Sequence, residues 1–133
     1  MSFYHRLQVR FNEVDMHQHV YFANYLTYYE IAITEFLKHI GFNPKMPENL
    51  AIYVKHVTID YHQPLYFGEM INIYVDSVKL GESSLIFNAS ILSEDSSKKC
   101  AVGKVVWICV DTHTGKKSRW PDELRKLLSS FDE

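Results

Sequence analysis

One segment decides the fold of this chain: residues 21–40, which read YFANYLTYYEIAITEFLKHI. Apolar side chains recur in it at steps of three and four residues, the spacing of one face of an α-helix. Further apolar residues extend around much of the circumference, so the predicted helix has to be covered on several sides. Gly41 follows the last apolar position and is expected to end the helix as its C′ residue.

The pattern changes to a period of two after this helix, which predicts strands. Short turns separate consecutive strands, as in an antiparallel meander. A first strand is predicted before the long helix, and a short helix that starts at Pro121 is predicted at the end, with Leu124, Leu127, Leu128 and Phe131 as its apolar face. The predicted strands are 4–12, 51–62, 69–79, 84–94 and 99–110. This order predicts an α+β fold, with an antiparallel sheet of about five strands wrapped around one long helix.

Composition and length limit the function. The 133 residues, of which 47% are hydrophobic, are expected to form one domain spanning 1–133. A net charge of −2 gives no general attraction to nucleic acid, and no run is long enough for a membrane span. The N-terminus lacks the apolar core of a signal peptide, so a cytoplasmic location is expected. Cys100 and Cys109 are an odd number of residues apart in one strand, which predicts unpaired, reduced core thiols.

The loop that enters the long helix carries the main chemical signal. It runs from Phe11 to Tyr25 and includes Asp15, His17 and His19. This order brings a carboxylate close to the free N–H groups at a helix start. The carboxylate can assist attack on an activated acyl carbon, while an N–H at the helix start holds the developing oxyanion. The alternative is that Asp15 only caps the helix, although seven residues separate it from Phe22.

These residues resemble the hotdog-fold acyl-CoA thioesterases of the 4-hydroxybenzoyl-CoA thioesterase family. The resemblance rests on Asp15 after a strand ending in 9–11, on His19-Val20, and on 23–25 and 28–30 along the helix. Tyr61-His-Gln-Pro64 and Gly68-Glu69 resemble the end of the family's second strand and the opening of its third. The resemblance covers nearly the whole chain.

The resemblance implies a hotdog fold that hydrolyses an acyl-CoA thioester to a carboxylic acid and CoA, without metal or organic cofactor. By position, Asp15 is the nucleophile or general base, and the Phe22 N–H receives the carbonyl oxygen. Sites in this family commonly lie between subunits, so a homodimer or homotetramer is expected. This sequence departs from the family pattern at Glu13, where Asp is frequent, and at Gln18, where a side chain in place of Gly is expected to narrow the loop or alter its path.

Four further residues are candidates for the site. His19 is expected to orient the loop or to hydrogen-bond substrate or Asp15, with a solvated loop histidine as the alternative. Tyr25 is expected to pack in the core, with acyl contact as the alternative. Glu30 is a reserve carboxylate, with a buried, paired structural glutamate as the alternative. Lys79 is a candidate for the CoA phosphates, with a solvated surface lysine as the alternative. The pair His17 and His19 lacks the further ligands of a metal site, so no metal is predicted.

Two other functions compete with hydrolysis. A hotdog hydratase or dehydratase would pair Asp15 with His19, although its usual signature has another spacing and a Pro before the His, where Gln18 stands here. A non-catalytic acyl-CoA binding module would have no need of the loop carboxylate. The sequence leaves open the acyl chain, and CoA against acyl-carrier protein as the thiol.

Overall fold

The fold is described from a computed structural model that defines residues 3–43 and 45–131, with only the backbone of Phe131 included. Five strands form one antiparallel sheet in the order β1-β3-β4-β5-β2. The strands are β1 (Phe3–Gln8), β2 (Leu50–Tyr61), β3 (Met70–Leu80), β4 (Ser84–Ser93) and β5 (Lys99–Asp111). Strands β1 and β2 therefore form the two edges of the sheet.

Helix α1 (Asn24–His39) packs across one face of this sheet because most of its surface is apolar. The residues it buries follow the predicted periodicity. The Phe36 ring meets the Phe87 ring of β4 edge-to-face, and its centroid lies 5.8 Å from that of the Phe3 ring of β1. Gly41 has a φ of 97°, and the backbone N–H groups of Gly41 and Phe42 donate to Lys38 and Leu37. This pattern is a Schellman motif, so the predicted C′ role of Gly41 is confirmed.

Helix α2 (Asp122–Phe131) closes the chain. Leu124 and Leu128 are buried and Leu127 packs against the core, as predicted for its apolar face. The side chain of Phe131, the fourth residue of that predicted face, lies outside the described part of the structure. The Pro121 carbonyl accepts from the Arg125 N–H, so the proline stands immediately before the helix.

The predicted hotdog architecture is confirmed, and two element ends differ from their predicted positions by more than one residue. The long helix begins at Asn24 instead of 21, and β1 ends at Gln8 instead of 12. Both differences lie in the connection between these two elements. Its backbone groups form hydrogen bonds to neighbouring segments and do not continue the strand or the helix. Cys100 and Cys109 are buried and unpaired, as predicted. In the described ranges, we find no helix of sufficient length and apolarity to cross a membrane.

Candidate active site

The connection between β1 and α1 is held in place by backbone hydrogen bonds to neighbouring segments. After β1, the Val9 N–H donates to Glu69 at 2.8 Å, and residues Phe11–Glu13 form one 3₁₀ turn. Val14 and Val20 then pair as an isolated bridge, and the Asp15 N–H donates to His19 at 3.1 Å. Residues 15–19 therefore form a closed loop, with Asp15 and His19 facing each other across its base.

Glu13 anchors this connection from inside the protein. Its carboxylate accepts from the Arg10 N–H and the Tyr28 hydroxyl, both at 2.8 Å, and pairs with the Arg10 guanidinium at 2.9 Å. Its carbonyl accepts from the Tyr21 N–H and the Asn24 amide. Burial alone would raise the pKa of Glu13, but these hydrogen bonds outweigh it and hold the pKa below its ordinary 4.5. Glu13 thus fixes both the turn and the approach to α1.

Asp15 is partly buried and lightly bonded. One carboxylate oxygen accepts from the His17 N–H at 2.9 Å, an Asx turn, and in the described residues the other oxygen has no hydrogen-bond partner. The N-cap of α1 is Ala23, so Asp15 does not cap that helix. The capping alternative is therefore wrong, and Asp15 instead lines a cavity.

Gln18 sits at the tip of the closed loop with a φ of 71°, the left-handed conformation that favours glycine. Its N–H donates to the Asp15 carbonyl at 2.9 Å, which closes the turn. The side chain is exposed, so the loop accommodates glutamine at this position without a core contact.

The start of α1 offers an unused backbone donor. In the described structure, neither the Phe22 N–H nor the Ala23 N–H has a hydrogen-bond acceptor, whereas the flanking N–H groups of Tyr21 and Asn24 donate to the carbonyls of Glu13 and Tyr21. The Phe22 carbonyl accepts from Tyr25 N–H and from the Tyr61 hydroxyl at 3.2 Å. Phe22 therefore lies in the turn before the helix, two residues before Asn24. Its carbonyl is hydrogen-bonded, whereas its N–H is not.

One cavity of about 340 Å³ brings four of the predicted residues together. Asp15, His19, Phe22 and Tyr25 all line it, with Val20 between them. Tyr25 is buried, its ring meets Tyr61 edge-to-face at 4.8 Å, and burial raises its pKa to about 12. His19 makes a long contact of 3.4 Å from Nδ1 to the Val20 carbonyl, and its ring stacks on His17. The residues around this cavity thus include one with an unbonded carboxylate oxygen, one with an unbonded N–H, and aromatic side chains.

The far wall of this cavity comes from the end of β2, and sequence reasoning assigned it no part in the site. Its residues are Tyr61, His62, Gln63 and Pro64. The only signal in the sequence was the likeness of this tetrapeptide to a family strand ending. The chain reaches the cavity because the Val20 N–H donates to Leu65 at 2.7 Å, which brings the segment after β2 against the loop.

Glu30 and Lys79 lie away from the Asp15 cavity. Glu30 is exposed and lines a separate apolar cavity of about 550 Å³ between α1 and the β2–β5 pair. Lys79 is exposed near the distal end of β3, nine residues from Met70, or about 30 Å along the strand. Within one chain, the structure therefore does not bring either of them to Asp15.

The described ranges contain no group of three or more His, Cys, Asp or Glu side chains placed to hold a metal ion. His17, His19 and His62 line the same cavity as Asp15, which adds polar and titratable groups around the carboxylate. The chemistry available from this arrangement is that of a carboxylate and a hydrogen-bond donor.

The chain is similar to known hydrolases of thioesters and esters. The model of the family described as "Thioesterase-like superfamily" matches residues 9–128. The chain is 29% identical over 129 residues to the acyl-CoA thioester hydrolase YbgC of Escherichia coli O157:H7, covering 96% of this chain and 93% of that protein. It is 30% identical over 118 residues to a putative esterase of Aquifex aeolicus (strain VF5), covering 81% of this chain and 92% of that protein.

The fold has a close counterpart among solved structures. Slr0204, a 1,4-dihydroxy-2-naphthoyl-CoA thioesterase from Synechocystis, superposes with a TM-score of 0.90 over 100% of this chain and 99% of that chain. The sequence identity is 17%, so this likeness supports the architecture alone.

Proposed function

The chain belongs to the Thioesterase-like superfamily, and on this premise we propose that it is an acyl-CoA thioesterase that uses Asp15 and the Phe22 N–H. Asp15 attacks or activates water at the thioester carbonyl, and the Phe22 N–H donates to the oxyanion. The observation that carries this proposal is that Asp15, with one unbonded carboxylate oxygen, and Phe22, with an unengaged N–H, line one cavity.

Two routes fit this pair. In the first, an Asp15 oxygen adds to the thioester carbon, the C–S bond breaks, and the anhydride formed is then hydrolysed by water. In the second, Asp15 takes a proton from a water that adds directly, and the same C–S bond breaks. In both routes negative charge develops on the carbonyl oxygen, where one donor contributes about 3–4 kcal/mol to transition-state stabilisation. Neither route needs a metal or an organic cofactor.

The surrounding residues have supporting roles in the proposal. Tyr25 forms an aromatic wall of the site, and the His19 carbonyl holds the base of the loop by accepting from the Asp15 N–H. Tyr61 binds the Phe22 carbonyl, which keeps the turn before α1 in position. Glu30 lines a separate cavity and takes no part in the chemistry.

A second, polar cavity of about 640 Å³ adjoins the Asp15 cavity through Gln63 and Pro64. It holds the carboxylates of Glu69, Glu94 and Asp95 against the single cation Lys98. This balance repels phosphates, so we assign it to the uncharged part of the pantetheine arm. The cations for the CoA phosphates, Lys79 among the candidates, then come from elsewhere, including a second subunit.

We also propose that the enzyme is a homodimer or a homotetramer of these 1–133 units. Strand β2 is twelve residues long and its outer edge has no partner in the described chain. Large apolar side chains are exposed beside that edge, with Val54 60% and Phe22 62% accessible. Light scattering that gives the mass of one chain at micromolar concentration would contradict this part of the proposal.

The decisive experiment is a thiol-release screen over short, long and aromatic acyl-CoAs. Wild type is compared with Asp15→Asn, which keeps the side-chain shape and removes the charge. Release that depends on the Asp15 carboxylate supports the proposal. Slow release from every substrate, equal in the two proteins, refutes it.

The hydratase alternative needs Asp15 and His19 to act as a pair, but the contact of His19 goes to the Val20 carbonyl. Loss of enoyl-CoA absorbance without thiol release would nevertheless favour the hydratase over the hydrolase. Tight acyl-CoA binding without turnover would favour the non-catalytic module.

A further inference from the structure

Asn72 of β3 is a buried polar side chain, with 2% of its surface exposed. Its carboxamide oxygen accepts from Arg6 Nε at 2.8 Å, and its nitrogen donates to the Glu94 carbonyl at 3.0 Å and to the Ser96 hydroxyl at 3.1 Å. A buried carboxamide needs partners for both its oxygen and its nitrogen, and these bonds supply them. Two of the bonds lead into the turn between β4 and β5, residues 94–98, so Asn72 joins that turn to β3.

The β4–β5 turn contains a strained residue that this network holds. Ser96 has a φ of 62°, in the left-handed region that serine rarely adopts. Its hydroxyl is held from two sides, by Asn72 and by the Tyr74 hydroxyl at 3.1 Å. The Glu94 carbonyl also accepts from Arg6 Nη2 at 3.3 Å, beside its bond from Asn72. The path of the turn therefore depends on side chains of β1 and β3 as well as on its own sequence.

The β4–β5 turn forms one wall of the polar cavity of about 640 Å³. The wall residues that it contributes are Glu94, Asp95, Ser97 and Lys98. The opposite wall lies in residues 63–70. That wall is fixed separately, since Gly68 and Glu69 exchange backbone hydrogen bonds of 3.0 and 2.8 Å with Val9. Asn72 therefore sets the position of the turn wall and leaves the other wall to its own bonds.

We propose that Asn72 is a positioning residue for the thiol arm of the substrate, because it fixes the β4–β5 turn in the place where the cavity receives the pantetheine part of CoA. This inference rests on the proposed function, which assigns the cavity to that arm. Asn72 does not line the cavity itself, so its effect passes through the turn. A wall that is ordered before binding spares the complex the entropy of ordering it. Loss of Asn72 therefore weakens binding of the arm and leaves the chemical step at Asp15 unchanged.

The test compares an acyl-CoA found in the thiol-release screen with the N-acetylcysteamine thioester of the same acid. The second substrate keeps the thioester but lacks the outer part of the arm. Wild type is compared with Asn72→Ala and Asn88→Ala. Asn88 is the matched control, since its carboxamide also joins β4 to β3, through the Ser77 hydroxyl at 2.9 Å, but it does not contact the β4–β5 turn or line the cavity.

We expect Asn72→Ala to raise KM for the acyl-CoA by about tenfold with kcat nearly unchanged, because binding is lost equally in the ground state and the transition state. The truncated substrate should remain within about twofold of wild type, as should Asn88→Ala with either substrate. An equal rise in KM for both substrates, or a fall in kcat, overturns the inference, since Asn72 would then support the fold or the chemistry as a whole. An unchanged KM for the acyl-CoA also overturns it.

Should Asn72→Ala fail to fold, Ser96→Ala decides, because it removes a half-buried hydroxyl that Asn72 binds in the turn. It should raise KM for the acyl-CoA alone, by about threefold, and no rise overturns the inference. If wild type hydrolyses no thioester, the proposed function fails, and calorimetry with pantetheine tests the inference instead. Weaker binding by Asn72→Ala than by Asn88→Ala supports it, whereas equal affinity, or no binding to wild type, rejects it.

Discussion

The loop between β1 and α1 holds two carboxylates in opposite circumstances. Glu13, on its inner side, is 8% exposed and saturated with donors from Arg10 and Tyr28. Asp15, on its outer side, accepts one bond from the His17 N–H, and its second oxygen has no partner among the residues that the structure describes. A carboxylate with every lone pair occupied is a structural support, whereas one with a free oxygen can attack a carbon or accept a proton. Glu13 thus stabilises the loop, whereas Asp15, two residues later, is available for chemistry.

The largest expected effect concerns activity. Asp15→Asn should lower kcat/KM by about a thousandfold, or about 4 kcal/mol, because the catalytic carboxylate is gone. Glu13→Gln, the matched change, should cost less than tenfold, because it removes a charge outside the cavity. Thiol release with a substrate found in the screen measures both, and a greater loss in Glu13→Gln would reverse the assignment.

The next effect concerns stability, for which a change at Glu13 should cost more than a change at Asp15. Glu13→Ala removes the acceptor of a buried tyrosine hydroxyl and of the Arg10 N–H, and should cost about 3 kcal/mol of unfolding free energy. The exposed Arg10 guanidinium adds little to that figure. Asp15→Ala loses one exposed Asx bond and should cost under about 1 kcal/mol. Urea unfolding compares the two, and equal losses would show that the loop does not depend on Glu13.

A smaller effect follows from the charge of Glu13 alone. Its pKa is lower in the folded protein than the ordinary 4.5, so the unfolded chain binds the proton more readily. This contribution to stability is complete above pH 4.5 and is lost as the pH falls through the folded pKa. The stability difference between wild type and Glu13→Gln should therefore shrink on acidification below pH 4.5. A difference that grows on acidification would mean that the pKa is raised.

The smallest effect is expected at the tip of the loop. Gln18→Gly removes the strain of a left-handed glutamine, about 1 kcal/mol, but adds a similar entropy to the unfolded chain. The two nearly cancel, so stability should change by less than about 0.5 kcal/mol and hydrolysis should remain. A large gain in activity would show instead that the glutamine side chain restricts the site.

Much of the fold follows from local pattern. The strands from residue 50 onward differ from their predicted bounds by one residue or so at each end, because alternation and turn residues agree there. The start of α1 was predicted three residues early because Tyr21 and Phe22 continue the apolar periodicity. Their backbone groups are bound to the loop and to Tyr61, and no local pattern contains that information.

The candidate site was predictable in part. Asp15 and the entry to the helix stand out as a motif, and the structure gathers them with His19 and Tyr25 around one cavity. His62 and Gln63 could not be assigned to it, since their approach depends on one long-range backbone bond from Val20 to Leu65. Local sequence also does not indicate that the buried Tyr29 hydroxyl lacks a hydrogen-bond partner among the described residues. The surroundings of this hydroxyl depend on the register that sets Gly103 beneath the Tyr29 ring.

The chain has two tryptophans, and the fold puts them in different surroundings. Trp107 lines the apolar cavity beside Tyr29, whereas Trp120 is 1% exposed, with its indole N–H on the Ser84 carbonyl. A molecule that enters this apolar cavity should therefore change the emission of Trp107 and leave that of Trp120 unchanged. In Trp120→Phe, native fluorescence would become an optical gauge of cavity occupancy that needs neither a label nor turnover.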